Sequence, residues 1–335
     1  MGKDVDSQTM KDITRRAFVK RVGLGGAFVL MLSFLTACGN QDSTNSANTN
    51  TTSSSSSDET SKIIILAAEN EYGAVATQIG GSYVEVTSII SDPEADPHDF
   101  EATPSDAKLL STAAIVIENG LGYDDWLDEM LSANEDADRV LINAQQTLGL
   151  SDDTENPHLW YDPKTMPAVA EALVDELVKI DPDHSDEYQQ NLADFNDAME
   201  SYTSKLSDFK QNYPDASAAA TEPVANYLLD AAGIDIKTPW SLQSAIMNDQ
   251  DPSAQDASTQ MSLLSDKEVD VFVYNQQVTS SLTQKWLDAA DSAGVPVVAV
   301  YETMPDGYGY VEWMCAEVDA FDAALSQDQS TTSLS

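Results

Sequence analysis

Basic side chains are scarce in this sequence: 16 lysines and arginines stand against 57 aspartates and glutamates, a formal net charge of −41 over 335 residues. Six of those bases (Lys3, Lys11, Arg15, Arg16, Lys20, Arg21) precede Cys38, so that from Cys38 onward 54 acids face 10 bases. Nucleic acid is bound through lysine and arginine on phosphate, so no nucleic-acid partner is expected. The acidic surface favours solubility and attracts cations, although a salty or acidic exterior would select the same composition. Cysteine is rarer still, at Cys38 and Cys315 only. Cys315 falls in a helical pattern as a small buried hydrophobe, so no disulfide framework is expected and the core alone must hold the fold. Long apolar runs are also missing. The longest, Val22 to Ala37, is too short for a comfortable bilayer span and has the length of a signal-peptide core.

That run has recognisable flanks. Thr14-Arg-Arg-Ala-Phe-Val-Lys20 resembles a twin-arginine export signal, and Leu35-Thr-Ala-Cys38 resembles a bacterial lipobox. Residues 1–37 then form a signal peptide, and Cys38 is the lipidated first residue of the mature protein. Residues 38–61, mostly Asn, Ser, Thr, Asp and Gln, read as a flexible tether from the lipid to a folded body. The expected location is the cell membrane, lipid-anchored and facing the extracytoplasmic side.

The body begins at Lys62-Ile-Ile-Ile-Leu-Ala-Ala68, a continuous apolar run of the kind found in buried parallel strands. Comparable runs recur at Val84–Ile90, Ala113–Glu118 and Arg139–Asn143, with helical spacing between them at Tyr72–Gly80, Pro104–Ser111 and Asp124–Leu131. Alternation of this kind predicts βαβ units and a first α/β lobe over 62–162. Residues 163–211 carry no strand-like run, only apolar residues at helical spacing interrupted at Asp181-Pro-Asp183. They predict one long helix with a break, or two consecutive helices, joining the lobes. A second α/β lobe is expected over 212–328, with strands at Ala216–Thr221, Ile234–Thr238, Val269–Asn275 and Pro296–Tyr301, followed by a frayed tail over 329–335. The fold class is thus α/β: two βα lobes with parallel sheets joined by a long helix.

Histidine is the third scarcity, and here scarcity is informative. Of the three (His98, His158, His184), two follow a proline directly, in Asp96-Pro-His-Asp-Phe-Glu-Ala-Thr-Pro104 and Asn156-Pro-His-Leu-Trp-Tyr-Asp-Pro163. In parallel α/β sheets, ligands collect beyond the carboxyl ends of strands. His98, His158, Glu222 and Glu302 each follow such an end, two from each lobe, so a cleft between the lobes could close over one ion. Two neutral imidazoles and two carboxylates suit a divalent transition metal. Taken singly each is ordinary: Glu222 could be the acid of a helix N-terminus, Glu302 a loop carboxylate, and either histidine a satisfied loop residue. His184, among Asp181, Asp183 and Asp186, reads as a helix-break residue. Spacing alone leaves the metal reading and the ordinary one open.

The ordered motifs decide further. The lipobox and tether, the His98 and His158 segments, Asn119-Gly-Leu-Gly-Tyr-Asp-Asp-Trp-Leu127, Asn248-Asp-Gln-Asp-Pro-Ser253, Tyr274-Asn-Gln-Gln277 and Ala293-Gly-Val-Pro-Val-Val-Ala-Val-Tyr-Glu-Thr-Met-Pro305 together resemble the zinc/manganese-binding lipoproteins of ABC importers. The resemblance covers residues 62–325. It implies two α/β lobes joined by a long rigid helix, with one divalent ion, Zn2+ or Mn2+, in the interlobe cleft. Carried over position by position, the ligands fall on His98, His158, Glu222 and Glu302. The third position is histidine in many zinc-type members and the fourth is usually aspartate, so this set departs from both, and the His-rich loop of several zinc-type members is absent. The resemblance further implies a monomeric capture protein, not an enzyme, that delivers its ion to a membrane permease driven by a cytoplasmic ATPase. Two alternatives stand beside it: a metal-dependent hydrolase, which needs an open coordination position, a water and a general base, and a surface adhesin with a structural metal.

Overall fold

The structure, a computed structural model, describes residues 62–93, 97 and 100–334. The expected signal peptide, Cys38, the tether and His98 lie outside the described residues.

The apolar runs form strands where expected. The first sheet contains β1 (Ile63–Glu69), β2 (Val84–Ile90), β3 (Ile115–Glu118) and β4 (Val140–Asn143), in the order β2-β1-β3-β4. The second contains β5 (Ser217–Ala220), β6 (Asp235–Ile236), β7 (Val271–Asn275) and β8 (Val297–Val300), in the order β6-β5-β7-β8. Every pairing in both sheets is parallel. The central strands are buried on both faces, which is why they read as continuous apolar runs rather than alternating ones. β5 consists of Ser-Ala-Ala-Ala, poor strand formers by propensity. Its place between two neighbours, with elements packed over both faces, overrides that preference, and the small side chains fill the space available.

Helices α1 (Asn70–Gly80), α2 (Pro104–Leu110), α3 (Asp125–Ala133) and α4 (Ala144–Thr147) accompany the first sheet. The second is accompanied by α7 (Asn226–Ala232), α8 (Trp240–Met247), α9 (Ala254–Ser265), α10 (Ser281–Ala293) and α11 (Tyr310–Gln327). Local chemistry sets several of the ends: Thr103 and Asp106 form a capping box around Pro104 at α2, and Ser253 caps α9. α4 and α8 have no counterpart in the sequence reading; α4, with four residues, is too short to establish a period.

Between the sheets run α5 (Thr165–Ile180) and the 28-residue α6 (Ser185–Asn212), the latter about 42 Å long at 1.5 Å per residue. The break between them centres on Pro182, which has no N–H to continue a helix. Asp181 Oδ2 accepts from the Tyr188 hydroxyl (2.9 Å) and lies 2.6 Å from His184 Nδ1, so His184 serves the break. α6 buries Tyr188, Phe195, Met199, Tyr202, Leu206 and Phe209, a stripe at helical spacing. That stripe lies in one continuous apolar core with Ile65 and Ile117 of the first sheet, Ala218 and Val271 of the second, and Trp313 and Phe321 of α11. The lobes therefore share packed side chains through the helices, and close packing resists large relative rotation. Two smaller clusters cover the outer faces of the two sheets.

The expected frayed tail is instead engaged. Thr331 forms a parallel bridge with Val298, Ser330 Oγ accepts from Val297 N at 2.9 Å, and Leu334 N donates to the Tyr301 hydroxyl at 2.6 Å. β8 lies at the edge of its sheet, and its unpaired backbone groups supply the partners that a polar tail lacks by itself.

Within the shared core lies Glu317, buried in α11, its Oε1 accepting from Trp313 Nε1 at 3.1 Å. Burial pushes its carboxyl from 4.5 up to about 8, against the opposing hydrogen bonds from Trp313 and Tyr161. A folded-state value above the unfolded one means that folding binds a proton. This contribution is full below about pH 4.5 and is lost as pH rises to about 8, at up to about 1.4 kcal/mol per pH unit. Glu317→Gln keeps the acceptor and removes the titration. Its melting temperature is expected to fall less steeply between pH 5 and pH 8.5 than that of the unsubstituted protein, and parallel curves would contradict the assignment.

Candidate metal centre

Two of the expected ligands, one from each lobe, meet in the structure. His158 follows β4 and opens a 3-10 turn, Leu159–Tyr161; it is fully buried, with its ring edge-on to Trp160 at 5.3 Å. The turn is tied to the opposite lobe, because the Tyr161 hydroxyl donates to Tyr301 O at 3.0 Å and accepts from Tyr301 N at 3.2 Å.

The tautomer of His158 follows from its neighbour. Asn156 donates through Nδ2 to Pro223 O (2.9 Å), and its Oδ1 accepts from the backbone N–H of His158 (3.2 Å). A proline carbonyl can only accept and a backbone N–H can only donate, so the Asn156 amide has one orientation. Its Oδ1 lies 2.7 Å from His158 Nδ1, which therefore carries the proton. Nε2 is left with its lone pair, the state in which imidazole binds metals.

That nitrogen points at Glu302. His158 Nε2 lies 3.5 Å from Glu302 Oε2, with both side chains inaccessible to solvent, and Nε2 has no hydrogen-bond partner among the described residues. Glu302 follows β8 and is fixed on every side. Asn275 Nδ2 donates to Oε1 at 2.7 Å, the Tyr123 hydroxyl donates to Oε2 at 3.0 Å, and the backbone N–H of Glu302 donates to Gln277 Oε1 at 2.5 Å. An imidazole lone pair facing a carboxylate oxygen in a dry site is unfavourable unless a cation stands between them, either a proton or a metal.

Tyr123 reaches Glu302 from the other lobe because of the loop before it. Gly120, Leu121 and Gly122 have successive φ values of 82°, 57° and 77°, and a Cβ on Gly120 would meet Asn143 and Gln145 at 2.9 Å. Only glycine adopts such a conformation without cost, whereas Leu121 does so at about 1 kcal/mol. Asp124 closes the loop by accepting from Asn119 N (2.5 Å) and Gly120 N (2.9 Å).

Glu222 follows β5 in the turn before α7 and is buried. Thr221 next to it is held to β7, its N–H donating to Val273 O at 3.0 Å and its Oγ1 accepting from Asn275 N at 3.1 Å. The Glu222 charge, after burial, helps to raise the Tyr274 hydroxyl above its usual range. The structure thus brings His158 and Glu302 together and buries Glu222 at the end of β5, which β7 separates from β8; His98 lies outside the described residues. Among the described residues, no three His, Cys, Asp or Glu side chains converge into a metal-holding group.

Sequence reasoning missed the residues that aim these candidate ligands: Asn156, Tyr123, Asn275 and Gln277. Two of the motifs that carry the family resemblance contain Tyr123, Asn275 and Gln277, but a side chain that positions another has no spacing rule of its own. It also missed a set of buried acids beside the site. Burial, reinforced by the charges of Asp124, Glu71 and Glu118, holds Glu69 well above the ordinary carboxylate range. Burial likewise raises Glu71 to about 8, with the Glu302 charge adding to the rise. Burial thus favours the neutral form of both groups.

Orientation of His158 by Asn156 gives a direct test. Asn156→Leu is expected to weaken metal binding by about 10- to 100-fold in competition with a chelator, and Asn156→Asp, which keeps the acceptor for Nδ1, to weaken it less. Equal affinity in all three proteins would refute the orienting role.

With this geometry established, comparison with known proteins is informative. The family model described as zinc-uptake complex component A, periplasmic, matches residues 65–324. The manganese-binding lipoprotein MntA of Halalkalibacterium halodurans is 28% identical over 320 residues, spanning 90% of this chain and 98% of the relative. The high-affinity zinc uptake system protein ZnuA of Bacillus subtilis is 23% identical over 327 residues, spanning 90% and 97%. Among solved structures, the periplasmic zinc-binding protein TroA of Treponema pallidum superposes with a TM-score of 0.66 at 17% identity, covering 80% of this chain and 99% of that one. Two parallel-sheet lobes joined through a long helix are the shared fold.

Proposed function

Because this chain belongs to the periplasmic zinc-uptake component A family, we propose that it captures a divalent transition-metal ion, zinc or manganese, and delivers it to an ABC-type importer. The observation that carries this reading is the dry contact between His158 Nε2 and Glu302 Oε2, a ligand from each lobe with a cation's place between them. The proposed ligands are His98, His158, Glu222 and Glu302. Two imidazoles and two carboxylates form a harder set than one rich in histidine, which favours manganese, whereas intrinsic affinities rank zinc above manganese. Both ions fit the set, and the relatives' names include both.

We read the chain as a binding protein and not as a metal-dependent hydrolase. A general base must be free to take up a proton during turnover. Both oxygens of Glu302 accept hydrogen bonds from fixed donors, which suits a carboxylate that holds an ion in place. No helix of the described residues is long and apolar enough to cross a membrane. Membrane attachment is assigned to a lipid on Cys38, with residues 38–61 as the tether and a permease with its cytoplasmic ATPase as the partner. Among curated relatives, one is named a manganese-binding lipoprotein and another a metal ABC transporter substrate-binding lipoprotein.

Calorimetry on the metal-free protein tests the ligand set. His98→Ala, His158→Ala, Glu222→Ala and Glu302→Ala are each expected to lower affinity for Zn2+ and Mn2+ by at least about 100-fold, beyond the effect of an orienting neighbour. A variant that binds as tightly as the parent is not a ligand, and if all four do so the metal centre lies elsewhere.

A further inference from the structure

The segment carrying Glu302 is gripped from two sides by carboxamides, and each grip crosses between the lobes. On one side stands Gln277, in the turn after β7. Its Oε1 accepts from Glu302 N at 2.5 Å and Thr303 N at 3.3 Å, and its Nε2 donates to Pro93 O, in the first lobe, at 3.0 Å. On the other side, Asn70 at the start of α1 pairs with Met304 in both directions: Met304 N donates to Oδ1 (2.9 Å), and Nδ2 donates to Met304 O (2.8 Å). Gln277 is itself fixed, its N–H donating to Oδ1 of Asn275, whose Nδ2 holds the Glu302 carboxylate. One short path of bonds thus runs from the first lobe, through Gln277, to the backbone and carboxylate of Glu302.

We propose that Gln277 is a positioning residue that couples closure of the lobes to retention of the ion. Its orientation leaves no ambiguity, because the oxygen faces two backbone N–H groups and the nitrogen faces a carbonyl. The bond to Pro93 spans the two lobes, so it holds only while their strand-end rims face each other. Separating the rims breaks it and frees the Gln277 side chain that locates the Glu302 backbone. The structural requirement that Glu302 be correctly placed for the ion is then met in the closed arrangement and relaxed in the open one. An ordinary loop staple would stabilise the turn after β7 whatever the lobes do. A coupling residue acts mainly on escape of the ion, and its effect depends on the bond to the other lobe.

This inference rests on the metal-capture reading, and the experiment separates the two. Zn2+ association and dissociation are measured by stopped flow, with a chelating dye for release, on the parent and on Gln277→Met, which keeps the length of the side chain without its hydrogen bonds. Dissociation is expected to be about tenfold faster, with the loss of affinity carried by dissociation rather than by association. An unchanged dissociation rate, or a loss of affinity carried by slower association, overturns the proposal. Should Gln277→Met fail to fold, Gln277→Glu serves. It still accepts from Glu302 N and Thr303 N but cannot donate to Pro93 O, so release is expected to be faster even though its added negative charge by itself would retain a cation. Slower or unchanged release from Gln277→Glu overturns the proposal as well. Failure of the parent to bind Zn2+ would instead count against the capture reading.

Discussion

A lone pair on a buried imidazole nitrogen, facing a buried carboxylate across 3.5 Å, is the constraint on which the architecture of the cleft depends. Neither group can turn away. His158 is committed through Nδ1 to an asparagine whose own orientation is dictated by a backbone donor and a proline carbonyl. Glu302 is held by Asn275, Tyr123 and Gln277. A cation between the two groups is favoured, and because a metal binds imidazole only in its neutral form, metal affinity depends on pH.

The rest of the fold follows from bringing strand ends of two lobes to one point and keeping them there. A single apolar core running through α5, α6 and α11 joins both sheets, so the lobes are not independent bodies on a loose linker. Motion in such a structure is confined to small rocking, because packed cores have few alternative arrangements. A small motion is enough if the bonds that respond to it, such as those of Gln277 and Asn70, bear directly on a ligand. The buried acids Glu69 and Glu71 suit this design. Burial disfavours the charged form of each, so they place polar groups near the cleft without favouring added charge there.

Much of this was legible in the sequence, and the reasons are physical. Strands such as Ile63–Glu69 and Val297–Val300 are buried on both faces and so leave unbroken apolar runs. The helical region before residue 212 shows its period over many turns, with Pro182 marking the break. Two of the expected ligands, His158 and Glu302, meet in the structure because the turn that follows His158 is tied across the lobes to Tyr301, next to Glu302. What stayed hidden was of two kinds. The tail at Ser330–Leu334 is polar and without period, and its order comes from the open edge of β8. The orienting residues Asn156, Tyr123 and Gln277 depend on chain crossings of 67, 179 and 184 residues, which no local pattern encodes.

The central claim is that histidine and carboxylate from opposite lobes hold one metal ion. The most direct measurement is X-ray absorption at the zinc edge on the loaded protein. The account predicts a shell of nitrogen and oxygen donors near 2.0–2.2 Å, as is usual for zinc, with outer-shell scattering from two imidazoles and no sulfur. A shell lacking imidazole scattering, or one with a sulfur donor at about 2.3 Å, would contradict it.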